Sequence, residues 1–181
     1  MLFFVASGCA YHLNYMILSR GAAASVSRPA VATFTVEPLP ESKNMNRIVE
    51  SNLIDLTHKS LQANGWKEVP AAQADYIFQV SYTLTTDEEV FRHLQYLYGP
   101  GGIYSRRRKP HFFTSTIVIT VLEHNTRSVW TGMGTITQTN DDILLVARYI
   151  VPSLVSKFPE QGRWKIHKKI HLYSSTSVQA E

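Results

Sequence analysis

Residues 112–123, Phe112-Phe113-Thr114-Ser115-Thr116-Ile117-Val118-Ile119-Thr120-Val121-Leu122-Glu123, are followed by His124-Asn125-Thr126-Arg127 and then by Val129-Trp130-Thr131-Gly132-Met133-Gly134-Thr135-Ile136-Thr137. The first run puts Ile117, Ile119 and Val121 on one side and Val118, Thr120 and Leu122 on the other, the alternation of a strand. Its β-branched residues suit a pleated, half-buried surface. The polar tetrapeptide is a turn, and the run from Val129 returns as the antiparallel partner. This hairpin makes the fold a sheet protein, and the flanking segments are read against it.

Upstream, Asp75 to Thr85 is a second strong strand. Tyr76, Phe78, Val80 and Tyr82 form an aromatic face opposite Ile77, Gln79, Ser81 and Thr83, which is read as mostly polar. Ala30 to Glu37 is a strand stopped by Pro38 and Pro40. Tyr11 to Leu18 is another, with Leu13, Tyr15 and Ile17 on one face and Asn14 on the other. Trp66 to Pro70 is a short extended piece.

Two helices accompany these strands. Ser42 to Asn64 carries Met45, Ile48, Val49, Leu53 and Leu56 as its apolar face, with Ile54 and Leu61 assigned to the opposite side. Asn64-Gly65 supplies its stop. The second helix runs from about Asp141, capped by Thr139 or Asn140, with Ile143, Val146, Ile150 and Leu154 facing inward. Pro152 is expected to kink it, and Phe158-Pro159 to end it. The expected fold is α+β: a two-layer sandwich of an antiparallel or mixed twisted sheet with both helices on one face. The aromatic side of the Tyr76 strand would meet the Met45–Leu56 stripe.

The chain has 181 residues, enough to bury roughly 70% of its unfolded surface in one domain without a metal or disulfide. With 44% apolar and 18% charged residues it is neither a disordered chain nor a polytopic membrane protein. The net charge of +4 and pI near 9.2 are short of what a dedicated nucleic-acid binder concentrates. One cysteine excludes an internal disulfide and a cysteine-based zinc site.

That cysteine is the most informative single residue. No charge precedes Arg20, and Ala6-Ser7-Gly8-Cys9 is similar to a bacterial lipobox, whose thiol accepts a diacylglyceryl group before cleavage. Read this way, residues 1–8 are the remnant of a signal peptide and the mature protein begins at Cys9. The competing readings are a free thiol buried at the edge of an N-terminal strand and a membrane-spanning helix over the uncharged stretch. Two segments stand outside the core pattern. Residues 86–110 are an insertion that runs from acidic through aromatic and glycine-rich to Arg106-Arg107-Arg108-Lys109. Residues 161–181 form a basic strand and tail in which Trp164, Ile166, Ile170 and Leu172 alternate with Lys165, His167, Lys169 and His171.

Several of these pieces together resemble the domain-of-unknown-function 4136 family of bacterial lipoproteins. They are the lipobox-like motif, the helix ending Leu61-Gln62-Ala63-Asn64-Gly65-Trp66, the strand Ala74-Asp75-Tyr76-Ile77-Phe78-Gln79-Val80-Ser81-Tyr82, the hairpin with its Val129-Trp130-Thr131-Gly132 return, and Lys157-Phe158-Pro159. The resemblance spans roughly residues 9–160. It implies a compact α+β domain tethered by lipid to the cell envelope, facing the periplasm, with no established activity. Ala10 after the cysteine is compatible with outer-membrane sorting.

No catalytic set is legible. Asp75 is placed at a strand start, where a carboxylate caps backbone amides more readily than it acts as a base, and Trp130 is expected to fill core. His167 and His171 are four apart on a strand, about 13 Å, too far to share a metal. No serine-nucleophile, phosphate-loop or dinucleotide motif is present, so no cofactor is implied. The candidate contacts for an anion are Arg106, Arg107, Arg108, Lys109, Arg163, Lys165, Lys168 and Lys169. Expected partners are the membrane, through acyl chains on Cys9, and an envelope protein, an anionic glycan or lipid headgroups. Nucleic acid is not expected. The expected role is therefore a non-catalytic structural or binding module, with a soluble anion- or small-ligand-binding domain using the Arg106–Lys109 loop as the alternative and an unrecognised hydrolase as the third.

Overall fold

In the computed structural model the described residues are 10–21, 32–40, 46–86, 112–124, 127–139 and 141–171. Their strands are β1 (Ala10–Gly21), β2 (Thr33–Pro38), β3 (Lys67–Glu68), β4 (Tyr76–Thr86), β5 (Phe113–Glu123), β6 (Arg127–Gln138) and β7 (Gly162–His171). Helix α1 is Arg47–Ala63 and α2 is Ile143–Lys157, with a 3₁₀ turn at Ala71–Gln73. The strands form one seven-stranded sheet in the order β3-β2-β4-β5-β6-β1-β7.

The sheet is mixed because of one connection. β2 and β4 run parallel, Phe34 against Tyr76 and Val36 against Phe78. Parallel neighbours need a crossover, and α1 is its helical part. From β4 to β7 every pairing is antiparallel, beginning with the β4–β5 and β5–β6 ladders. β1 then adds to β6, with Ile17 opposite Gly134, and carries β7 on its other side. The chain thus closes its sheet with its first and last described strands side by side.

Both helices pack on one face. α1 lies over β2 and β4, α2 over β6, β1 and β5, and the two helices touch each other. The α1 stripe differs from the sequence expectation. Leu53, Thr57 and Leu61 are its buried residues, whereas Ile48 is 69% exposed. Helical geometry accounts for this: at 3.6 residues per turn, Ile48 lies about 140° round the axis from Leu53, while Val49 and Thr57 lie about 40° to either side. The stripe is centred one residue further on than apolarity alone suggested, and Leu61 belongs to it.

β4 is also more buried than its alternation implied. Ile77 is fully buried on the side away from the helices, so that side is not simply polar. The α2 cap is Asp142, whose Oδ1 accepts from the Leu145 N–H at 3.0 Å, rather than Thr139 or Asn140. Pro152 is exposed within α2, and the helix runs on to Lys157 before Phe158. Phe112 and Phe113 are both half-buried.

Phe158 is the centre of the core. Its ring makes edge contacts with Trp66, Tyr76, Phe78 and Trp130 at centroid distances of 5.5–5.9 Å. Such arrangements set the negative ring face against the positive edge. The loop that follows is tied down by one carbonyl. Glu160 O accepts from Trp130 Nε1 at 3.0 Å and from Ser19 Oγ at 2.6 Å, joining β6 and β1 to the start of β7. Tyr15 on β1 adds a link to α2 by bonding Ser153 Oγ at 2.7 Å.

Candidate functional surface

The sheet has two sides of different character. On the helix side β1 presents Leu13, Tyr15, Ile17 and Ser19, all buried. On the other it presents Asn14, Met16, Leu18 and Arg20, and the register extends that face through Thr131, Met133 and Thr135 of β6 and Thr116, Val118 and Thr120 of β5. These residues are half-buried or exposed. Thr114 and Thr137 are hydroxyl-bonded across the strands at 2.9 Å, as a polar, β-branched ladder favours. Neither α1 nor α2 covers this side.

The anion-contact candidates divide on this geometry. Arg163 and Lys165 are exposed on the open side of β7, opposite Leu18 and Met16 of β1. Lys168 is not with them. Strand alternation sends it to the helix side, where its Nζ sits 5.7 Å from the centre of the Tyr149 ring. Lys169 belongs to β7, with its side chain outside the described part. Cys9 and Arg106, Arg107, Arg108 and Lys109 lie outside the described residues. The structure adds Arg20, exposed beside Arg163, which the sequence reading passed over. Alternation along β1 puts Arg20 on the Asn14 face, but only the β1–β7 register shows which cations it joins.

Asp75 is a clip. Its Oδ2 accepts from the Thr33 N–H at 2.8 Å and from Thr33 Oγ1 at 2.7 Å, while its own N–H donates to Thr33 Oγ1 at 2.9 Å. The two residues precede or begin the parallel strands β4 and β2 and fix where they meet. Hydrogen bonds from the Thr33 hydroxyl and backbone amide hold the Asp75 carboxyl below the usual carboxylate range, with a smaller contribution from His124, against the opposing push of burial. A carboxylate held in its charged form this way is a poor general base. Beside it, burial pushes the Tyr76 hydroxyl up, and the Glu123 and Asp75 charges push the same way.

The sign of the pH effect follows from that depression. The clip contributes fully above the ordinary carboxylate range and loses its contribution as pH falls through the folded-state value. Asp75→Ala should cost about 1–2 kcal/mol at neutral pH, the scale of charge-assisted hydrogen bonds with partial solvent access. The deficit should shrink as the pH is lowered, which thermal unfolding across pH checks. An identical deficit at every pH would show that the charge of Asp75 is irrelevant.

His167 Nδ1 lies 2.6 Å from Asn14 Oδ1 on the neighbouring strand, so this ring already has a partner. Among the described residues no three His, Cys, Asp or Glu side chains gather as metal ligands would, and no helix is long and apolar enough to cross a membrane. A shallow groove of about 400 Å³ runs between the helices, lined by Leu56, Ala63 and Pro152 with Lys59 and Asn64 among its polar residues. Lys59 is bonded there to Asp55 at 2.6 Å. Ser115 Oγ and both amide atoms of Gln138 are buried without a hydrogen-bond partner among the described residues.

The sequence profile described as Domain of unknown function (DUF4136) matches residues 22–160. No curated protein matches the sequence. A solved PDZ domain protein from Parabacteroides distasonis is similar in fold, with a TM-score of 0.55 at 12% identity over 88% of this chain. This chain spans 39% of that protein's length. A PelC dodecamer from Paraburkholderia phytofirmans is similar over 78% of this chain and 95% of its own, at 12% identity and a TM-score of 0.44.

Proposed function

We propose that this chain, which belongs to the DUF4136 family, acts as a lipid-anchored, periplasm-facing envelope protein of the outer membrane, a structural or binding module without catalysis. The observation that carries the reading is the lipobox-like motif and its place in the sequence next to the sheet's first described strand. Ala6-Ser7-Gly8-Cys9 abuts Ala10, the first residue of β1, which pairs with His171 of β7. Acyl chains on Cys9 would therefore hold the sheet itself to the bilayer, with no linker between. Two or more chains give stable attachment where one does not, at about 0.8 kcal/mol per buried methylene. The non-catalytic part rests on what the polar groups already do: Asp75 is committed to Thr33, and Trp130 is packed on Phe158 with its N–H on the Glu160 carbonyl.

Cys9→Ser tests the tether. Expressed with its native upstream sequence and grown with labelled palmitate, the wild-type protein should carry label and sediment with membranes. The variant should carry none and move to the soluble fraction. Equal labelling and equal partition of the two proteins would end the proposal.

A further inference from the structure

We propose that the β1–β7 margin of the open sheet face, carrying Arg20, Arg163 and Lys165, is a docking surface for an anionic lipid bilayer. The proposal deepens the envelope reading by naming what the β1–β7 margin of the sheet side away from the helices faces, but it does not depend on acylation of Cys9. Leu18 pairs with Arg163 and Met16 with Lys165, and Arg20 is the diagonal neighbour of Arg163. Strand geometry then sets the three cations in a line on one side, each about 7 Å from the next. All three are exposed.

Charge supplies the argument for an anionic partner. Among the described residues the ion pairs are His58–Glu68, Lys59–Asp55 and Lys157–Glu160, none of which uses a stripe residue. Among the described residues on this side, Glu37 is on β2, four strands from β1 and thus about 19 Å away, and Asp75, at the start of β4, is bonded to Thr33. The only described side-chain bond within the stripe is Arg163 Nε to Met16 Sδ at 3.1 Å, which lays the guanidinium along the sheet with no carboxylate partner among the described residues.

The surroundings favour a bilayer over other polyanions. Half-buried Met16, Leu18 and Met133 lie between and beside the cations, a mixed surface suited to lying in a headgroup layer. Trp164 points to the opposite side, under Lys157 Nζ at 4.8 Å. The one described ring on the stripe side of β7, His167, is bonded through Nδ1 to Asn14. No tryptophan, tyrosine or phenylalanine of β7 therefore stands beside the cations as a stacking platform for bases or sugars. An exposed strand margin also needs no cleft to engage an extended partner. Each Lys or Arg close to an anionic membrane surface contributes about 1 kcal/mol, roughly a fivefold effect, so three give about a hundredfold.

The test uses the full chain with Cys9→Ser, so that no acyl group contributes. Binding is measured to vesicles of phosphatidylcholine alone and of phosphatidylcholine mixed with phosphatidylglycerol, at low salt. Binding should occur on the mixed vesicles only and fall steeply as salt is raised. The additional triple change Arg20→Gln, Arg163→Gln, Lys165→Gln should weaken it about a hundredfold. A control with the same loss of charge elsewhere, Arg47→Gln, Lys67→Gln, Arg148→Gln, should bind within a few fold of the parent. Circular dichroism and thermal unfolding verify that both triple variants are folded. No binding to the mixed vesicles, undiminished binding by the stripe variant, or an equal loss in the control each overturns the proposal. Acylation of Cys9 stands or falls separately, by the labelling experiment.

Discussion

Trp130→Ala should lower the free energy of unfolding by about 3–5 kcal/mol, the range for deleting a buried tryptophan. Trp130 is 1% exposed, and its ring meets Phe158 edge-on at 5.6 Å. Phe158 in turn contacts Trp66, Tyr76 and Phe78, so the void would open beside the residue on which the core converges. The lost hydrogen bond adds little, because the Glu160 carbonyl keeps its bond from Ser19. Denaturant unfolding checks the value. A loss under about 1 kcal/mol would mean that the ring is not the wall of a packed core.

Gly132→Ala is the second large effect, and it arises from the same ring. A Cβ at position 132 would fall on the Cη2 and Cζ3 atoms of Trp130, which lies along the strand over the glycine two residues on. The ring cannot swing away, since Phe158 is against it and its N–H is held by Glu160 O. The expected cost is about 2–3 kcal/mol, as for other additions to a filled core. In a Trp130→Ala background the added methyl enters the vacated space, and most of that cost should vanish. The double-mutant cycle then yields a coupling of about 2 kcal/mol, at the upper part of the range for residues in contact. Strict additivity of the two changes would contradict the packing described. Gly134 has a related role one step along, where a Cβ would meet the Ile150 methyl of α2.

These residues also show what the sequence could and could not disclose. The hairpin was legible because alternation over eleven- and twelve-residue strands leaves one arrangement of inward side chains. Val129-Trp130-Thr131-Gly132 was recognisable as a pattern, but its physical reason was not. That Gly132 is required by the ring of Trp130 emerges only when the rotamer is known. Asp75 was rightly placed as a capping carboxylate, yet its partner, Thr33, is 42 residues away and is brought near by a parallel pairing that no local pattern encodes.

Helix α1 was found and its stripe misplaced. Ile48 is apolar and was counted inward, but burial follows angular position, and the helix docks with Val49, Leu53, Thr57 and Leu61 toward the sheet. Thr57 escapes notice as a core residue because its hydroxyl is satisfied within the helix by Leu53 O at 2.8 Å. The basic stripe was half legible. Arg163 and Lys165 stood out by alternation with Trp164 and Ile166, whereas Arg20 needed the β1–β7 register and Lys168 had to be removed by it.

The intact mass of the Cys9-containing N-terminal peptide, from membranes of the native host with the gene in its genomic context, tests the proposed tether most directly. The account predicts a peptide that begins at Cys9 and bears a diacyl or triacyl adduct, which would place the β1–β7 sheet end at the bilayer. An unmodified Cys9 still preceded by Gly8 would contradict it.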